Sequence, residues 1–179
     1  MTGLKTNNEW GHNMSMQWLL AKAPGFQALP DADRAAIFNF TFLWSLFEAQ
    51  VMDNFARADL ICTKVDEWRD AGTLDADEYA AELAYFRERY FANGALTHHF
   101  DHLHLRPADQ SAVVQSVLNG SNNEPRDRLL TVLVIVWRFR NNLFHGAKWA
   151  YQLEGQLSNF THANAVLMRL LERHGHLAA

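Results

Sequence analysis

The chemistry-bearing residues of this chain crowd into one short stretch. RNNLFHG occupies residues 140 to 146, with Arg138 two residues before it and Lys148 two residues after. A histidine with a pKa near neutrality takes or gives a proton. An arginine stays protonated and offers a forked set of donors to an oxyanion. Asparagines orient such a histidine or hold a phosphate oxygen. Together these residue types suit acid–base work on a substrate that gains negative charge.

A helix positions them unevenly. At about 100° per residue, Arg138, Asn141, Asn142 and His145 share one face, with Lys148 close to it. Such a stripe at the end of the most apolar helix must open onto solvent or a polar partner. Arg140 diverges from His145 by roughly 140°. Its helical neighbours are Val136, Trp137 and Phe144. An arginine among apolar residues needs an acceptor. Glu48, set among the aromatics of the first long helix, is one candidate; a cleft between two copies of the chain is another suitable environment.

RNNLFHG, with Arg140, four residues and then His145, resembles the motif of the HEPN superfamily. Those domains carry an Arg, four to six residues and a His, often with a polar residue directly after the Arg, as Asn141 is here. The position is similar too: near the end of a buried helix and before a long final one. The resemblance covers residues 31 to 174 in architecture and only residues 140 to 146 in sequence. It implies an all-α homodimer whose Arg–His segments face one another across a cleft. It also implies a metal-independent endoribonuclease of toxin–antitoxin, defence or RNA-processing systems, with an antitoxin or other protein partner. Some members have lost catalysis and serve as dimerisation modules that bind a partner or RNA.

On that reading His145 is the general acid/base, Arg140 stabilises the phosphorane and Asn141 supports them. The RNA 2′-OH attacks the adjacent phosphate and leaves a 2′,3′-cyclic phosphate. Arg138, Asn142 and Lys148 would contact RNA. Arg138, six residues before His145, also satisfies the family spacing and stands as the other motif arginine. No metal or other cofactor is expected. An ordinary helix end explains the same residues without chemistry, because basic groups favour the negative pole of a helix and glycine stops one.

Other features read more plainly. HHFDHLH, residues 98 to 104, places His98 and His102 four apart with Asp101 nearby, which suits zinc. A solvated histidine-rich connector is the expected reading, since a structural zinc site wants four ligands and Cys62 is isolated. Phe38, Phe40, Phe42, Trp44 and Phe47 are expected in the core. Trp149 and Tyr151 are better placed to meet a base. Arg87, Glu88 and Arg89 read as a solvated helix face.

The elements that must hold this stretch form a single domain. The chain has 179 residues, 49% of them hydrophobic and 12% aromatic, within the range of about 100–200 residues for one folded domain. A net charge of −4 argues against a protein that coats nucleic acid. The lone Cys62 suits a reducing compartment. The first thirty residues lack the charged head and apolar core of a secretion signal. A soluble cytoplasmic protein with no membrane contact is expected.

The pattern predicts an all-α, up-and-down bundle of five to six helices. Residues 1–30 form an extension with a short helix over Ser15 to Ala23. Residues 31–179 form the helical domain. A long helix starts after Pro30 and runs towards Trp68, with a bend or break near Asn54 or Asp59. Its apolar face is Phe38, Phe42, Ser45 and Ala49, widened by Ile37, Phe40, Trp44 and Phe47. Thr73 or Asp75 caps the next helix, with Glu78 completing a capping box on Asp75, and Asn93-Gly94 ends it. Pro107 opens another helix that ends at Asn119-Gly120. Thr131 to Val136 (TVLVIV) would score as a strand by its β-branched residues. Lacking a partner strand, it reads as a buried helix beginning near Pro125. The final helix spans Lys148 to His174.

Overall fold

Nine consecutive residues, Leu129 to Trp137, are buried. A stretch buried all round satisfies its backbone only as a helix or within a sheet. A computed structural model makes it a helix, as the missing partner strand required. The structure describes the backbone of residues 9–144 and 153–177, and side chains from Met14 onward within them.

Eight α-helices are described: α1 (Glu9–Lys22), α2 (Asp31–Val51), α3 (Ala58–Asp70), α4 (Ala80–Tyr90), α5 (His98–Asp101), α6 (Ser111–Leu118), α7 (Pro125–Phe144) and α8 (Leu157–His174). One two-residue hairpin, β1 (Phe91–Ala92) and β2 (Ala95–Leu96), lies between α4 and α5. The chain is mostly helical, and α7 is its axis. Helices α3, α4, α6 and α8 pack around α7, and α2 lies along α8. Among the described residues no helix is long and apolar enough to cross a membrane.

The helix count exceeds five to six for two local reasons. The long stretch after Pro30 breaks at Asp53 and Asn54, both at positive φ (51° and 67°), separating α2 from α3. Histidines 98 and 99 open the extra short helix α5. Asn93-Gly94 does not end α4, which stops at Tyr90; both residues have positive φ and form the two-residue turn of the hairpin. The capping box forms by half. Asp75 Oδ1 accepts from the backbone of Asp77 and Glu78 at 3.2 and 3.3 Å, but the Glu78 carboxylate turns to Arg173.

The buried face of α2 is rotated from the expected one. Ala36, Phe40, Trp44, Phe47 and Val51 are buried against α8, while Phe42 is 80% exposed and Ser45 and Ala49 face outward. Two apolar stripes compete on this helix, and α8 covers only one. The last helix starts at Leu157 rather than Lys148, because Leu153 to Gln156 are not helical and Gly155 has φ 71°.

Ahead of α2, Phe26 and Leu29 are buried, and Arg34 donates to both their carbonyls, at 3.2 and 2.5 Å. At the other end of the chain, the His174 ring stacks on Trp68 at 4.0 Å and 7°. Burial there, helped by Arg173, pulls its pKa from 6.5 down to about 4. The unfolded chain takes this proton at a higher pH than the folded one. Stability from this contact is therefore full above pH 6.5 and is lost as pH falls towards 4. The melting temperature of wild type should fall relative to that of His174→Phe over that interval. Parallel profiles would mean that the imidazole is solvated in the folded protein.

Candidate functional site

The last turn of α7 leaves the core at Arg138. From there each polar side chain finds a different neighbour. His145 and Lys148, with Trp149 and Tyr151, lie outside the described residues, so the site is built from Arg138, Arg140, Asn141 and Asn142.

Arg138 faces inward. Its side chain is 11% exposed, its Nε donates to the Leu103 carbonyl at 2.6 Å, and its Nη1 lies 3.6 Å from Asp109 Oδ2. Its guanidinium sits over the Trp137 ring. Burial pushes the Arg138 pKa down, and Asp109 opposes that. Burial pushes Asp109 up, but hydrogen bonds from the Arg106 side chain and backbone outweigh it and hold the carboxyl below its usual range. Arg138 thus fastens the segment after α5 to the central helix.

Arg140 turns the other way, towards α2. Its side chain is 31% exposed, and Nη2 lies 3.7 Å from Glu48 Oε2. Glu48 is one of the two environments its sequence position allowed. The contact is longer than a good charge-assisted hydrogen bond. Nη1 donates to Asn141 Oδ1 at 3.3 Å, and the guanidinium lies over the exposed Phe144 ring. Its Nε is buried with no acceptor among the described residues.

The polar stripe therefore divides. Asn141 goes with Arg140, while Asn142 donates to the His102 carbonyl at 2.9 Å and goes with Arg138. Two contacts of the same kind, Arg138 to Leu103 and Asn142 to His102, hold the histidine-rich segment against the end of α7.

The histidines of that segment are largely exposed, as in a solvated connector, but its apolar residues are not. Phe100 and Leu103 anchor it in the core. His98 lies 3.9 Å from His99 and 6.1 Å from His102, ring to ring. Among the described residues no group of three or more His, Cys, Asp or Glu is placed to hold a metal. Cys62 instead accepts from Arg126 Nη2 at 2.7 Å.

Arg87 and Arg89 do not form a solvated face. Arg87 donates to the Val117 carbonyl and Asn123 Oδ1 at 2.9 and 2.6 Å, and Arg89 Nε is buried. Only Glu88 fits that expectation. An RER triplet on a short helix gives no sign that two of its members turn inward, because the covering elements, α6 and α5, come later in the chain.

Scanned against protein-family models, curated proteins and solved structures, the chain matches none.

Proposed function

We propose that this chain is a metal-independent endoribonuclease of the HEPN type that works as a homodimer. The observation that carries the reading is the placement of Arg140. It stands at the partly exposed end of a helix buried from Leu129 to Trp137, followed directly by Asn141, which accepts from it, and five residues before His145. A cation fixed at one end by burial, with donors left towards solvent, suits a phosphorane.

In the proposed reaction His145 takes the proton of the 2′-OH. The 2′ oxygen attacks phosphorus, the P–O5′ bond breaks, and protonated His145 returns the proton to the departing 5′ oxygen, which leaves as a hydroxyl. Arg140 stabilises the charge on the phosphorane. Of the two arginines, Arg138 is tied to Leu103 and Asp109, which favours Arg140 as the motif residue. The purified protein is expected to cut RNA in EDTA and to leave 2′,3′-cyclic phosphate and 5′-hydroxyl ends. DNA, which lacks the 2′-OH, should stay intact. Products with 3′-hydroxyl ends would sink this chemistry.

An exposed apolar stripe supports the dimer in this reading. Phe38, Phe42 and Leu46 are spaced by four on α2 and are 37%, 80% and 41% exposed. They lie on the helix that carries Glu48, the carboxylate facing Arg140, and form an exposed apolar stripe that a second copy could cover. Phe42→Glu should shift the protein from dimer to monomer in analytical ultracentrifugation without lowering its melting temperature. A wild type that sediments as a monomer would remove this part of the reading.

A second reading is a catalytically silent module of the same type that binds a partner or RNA. The observation that favours it is the Glu48 carboxylate facing Arg140, which offsets the charge a phosphate would meet.

A further inference from the structure

We propose that the cavity between α4 and α5 binds a phosphodiester of single-stranded RNA beside the cleaved bond. This rests on the reading of RNA as substrate. The cavity has a volume of about 460 Å³ and is lined by Tyr85, Glu88 and Arg89 from α4, by Thr97, and by His98 and His99 from α5. The hairpin creates it by folding α5 back over α4. Thr97 donates from its backbone to the Tyr90 carbonyl at 2.9 Å and from its hydroxyl to the Arg89 carbonyl at 2.7 Å. Phe100 then packs edge-on against Tyr90.

Arg89 distinguishes this cavity. Every other arginine except Arg87 faces a carboxylate within 4.0 Å. Arg87 is satisfied by a carbonyl and an amide. Arg89 has no ion pair among the described residues, and its Nε is buried without an acceptor. The phenols of Tyr85 and Tyr90 hydrogen-bond with its side chain, and His99 lies within electrostatic reach of it. In an acidic chain, a half-buried arginine that faces no carboxylate among the described residues stands apart. A buried charge demands a partner, and a tetrahedral phosphate accepts both a guanidinium fork and imidazolium donors.

The two histidines place imidazole rings beside Arg89. Burial lowers the His99 pKa, and Arg89, His98 and His102 lower it further. An anion between them would reverse that repulsion and recruit the proton. Glu88 at the rim is the opposing charge, and His162, stacked on Tyr85 at 4.1 Å, lies behind the wall. The cavity is also coupled to the motif helix. His102, whose ring is 6.1 Å from that of His98, takes the Asn142 hydrogen bond at its carbonyl.

The test uses a fluorescent 2′-O-methyl decauridylate, which cannot be cut, and anisotropy titrations of the full chain at pH 6 and pH 8. Wild type should bind more tightly at pH 6. Arg89→Gln should weaken binding about tenfold and lower the salt slope by about one. The double variant His98→Gln, His99→Gln should lower the pH dependence, and His145→Ala should leave the part due to the cavity in place. Inorganic phosphate should compete in wild type and much less in Arg89→Gln. Wild-type affinity in both variants would overturn the proposal, as would phosphate binding without oligonucleotide binding. Cleavage is read separately. If wild type cuts RNA and Arg89→Gln binds and cuts as well as wild type, the cavity fails alone. If the oligonucleotide binds through Arg89 and no RNA is cut, the nuclease fails alone.

Discussion

Arg140→Ala and His145→Ala are each expected to lower RNA cleavage by at least about a hundredfold, the usual cost of removing an acid–base group or an oxyanion donor. Both variants should keep the melting temperature of wild type within a few degrees. Arg140 is partly exposed, and its one carboxylate contact is long at 3.7 Å. Arg138→Ala should behave in the opposite way. Its side chain is 11% exposed, and its loss strips the Leu103 carbonyl of a donor and buried Asp109 of a cation. Removing one partner of a buried polar pair costs roughly 1–3 kcal/mol. Arg138→Ala should therefore melt earlier and, assayed below its melting point, still cleave. Measuring both readouts on both arginines decides which one the motif uses. Equal loss of cleavage with unchanged stability in Arg138→Ala would transfer the role to Arg138. Retention of cleavage in His145→Ala would end the nuclease reading and leave the binding module.

The axial helix was legible because its residues leave no other choice. TVLVIV has strand-forming side chains, but an isolated strand could not satisfy its backbone. The counter-ion of Arg140 was legible for a similar reason. Few carboxylates sit among aromatics, and Glu48 is one. What could not be read was which side of a doubly apolar helix meets a partner. On α2 the stripes through Phe40 and through Phe42 are comparably apolar, and the choice belongs to α8, more than a hundred residues away. The cavity around Arg89 was hidden in the same way. A two-residue hairpin is too short to show alternation, yet it is what returns His98 and His99 to α4. Sequence periodicity carries helices and their caps; it carries little about the long-range docking that turns a solvated triplet into a binding wall.

Glu48→Ala is expected to destabilise the protein by about 2–4 kcal/mol, since the carboxylate ties three elements together. Its Oε2 accepts from Trp44 Nε1 and its Oε1 from the Ala56 backbone, both at 3.1 Å. The backbone carbonyl of Glu48 accepts from Asn54 at 2.8 Å, which closes the turn where α2 breaks. The Ala56 carbonyl in turn accepts from Trp137 Nε1 at 3.2 Å, so the turn is fastened to α7 three residues before Arg140. Removing the carboxylate frees a buried indole and a buried backbone N–H and leaves Arg140 without its counter-charge. Glu48→Gln keeps an acceptor oxygen for part of this network and should cost about 1 kcal/mol. Its functional effect is then separable from unfolding. With the negative charge gone, a phosphate approaching Arg140 meets less repulsion, and the 2′-O-methyl oligonucleotide should bind several-fold more tightly than to wild type. Unchanged affinity in a folded Glu48→Gln would mean that RNA does not pass Arg140. Tighter binding without cleavage in either protein would favour the silent module, in which Glu48 balances a cation that no longer meets a transition state.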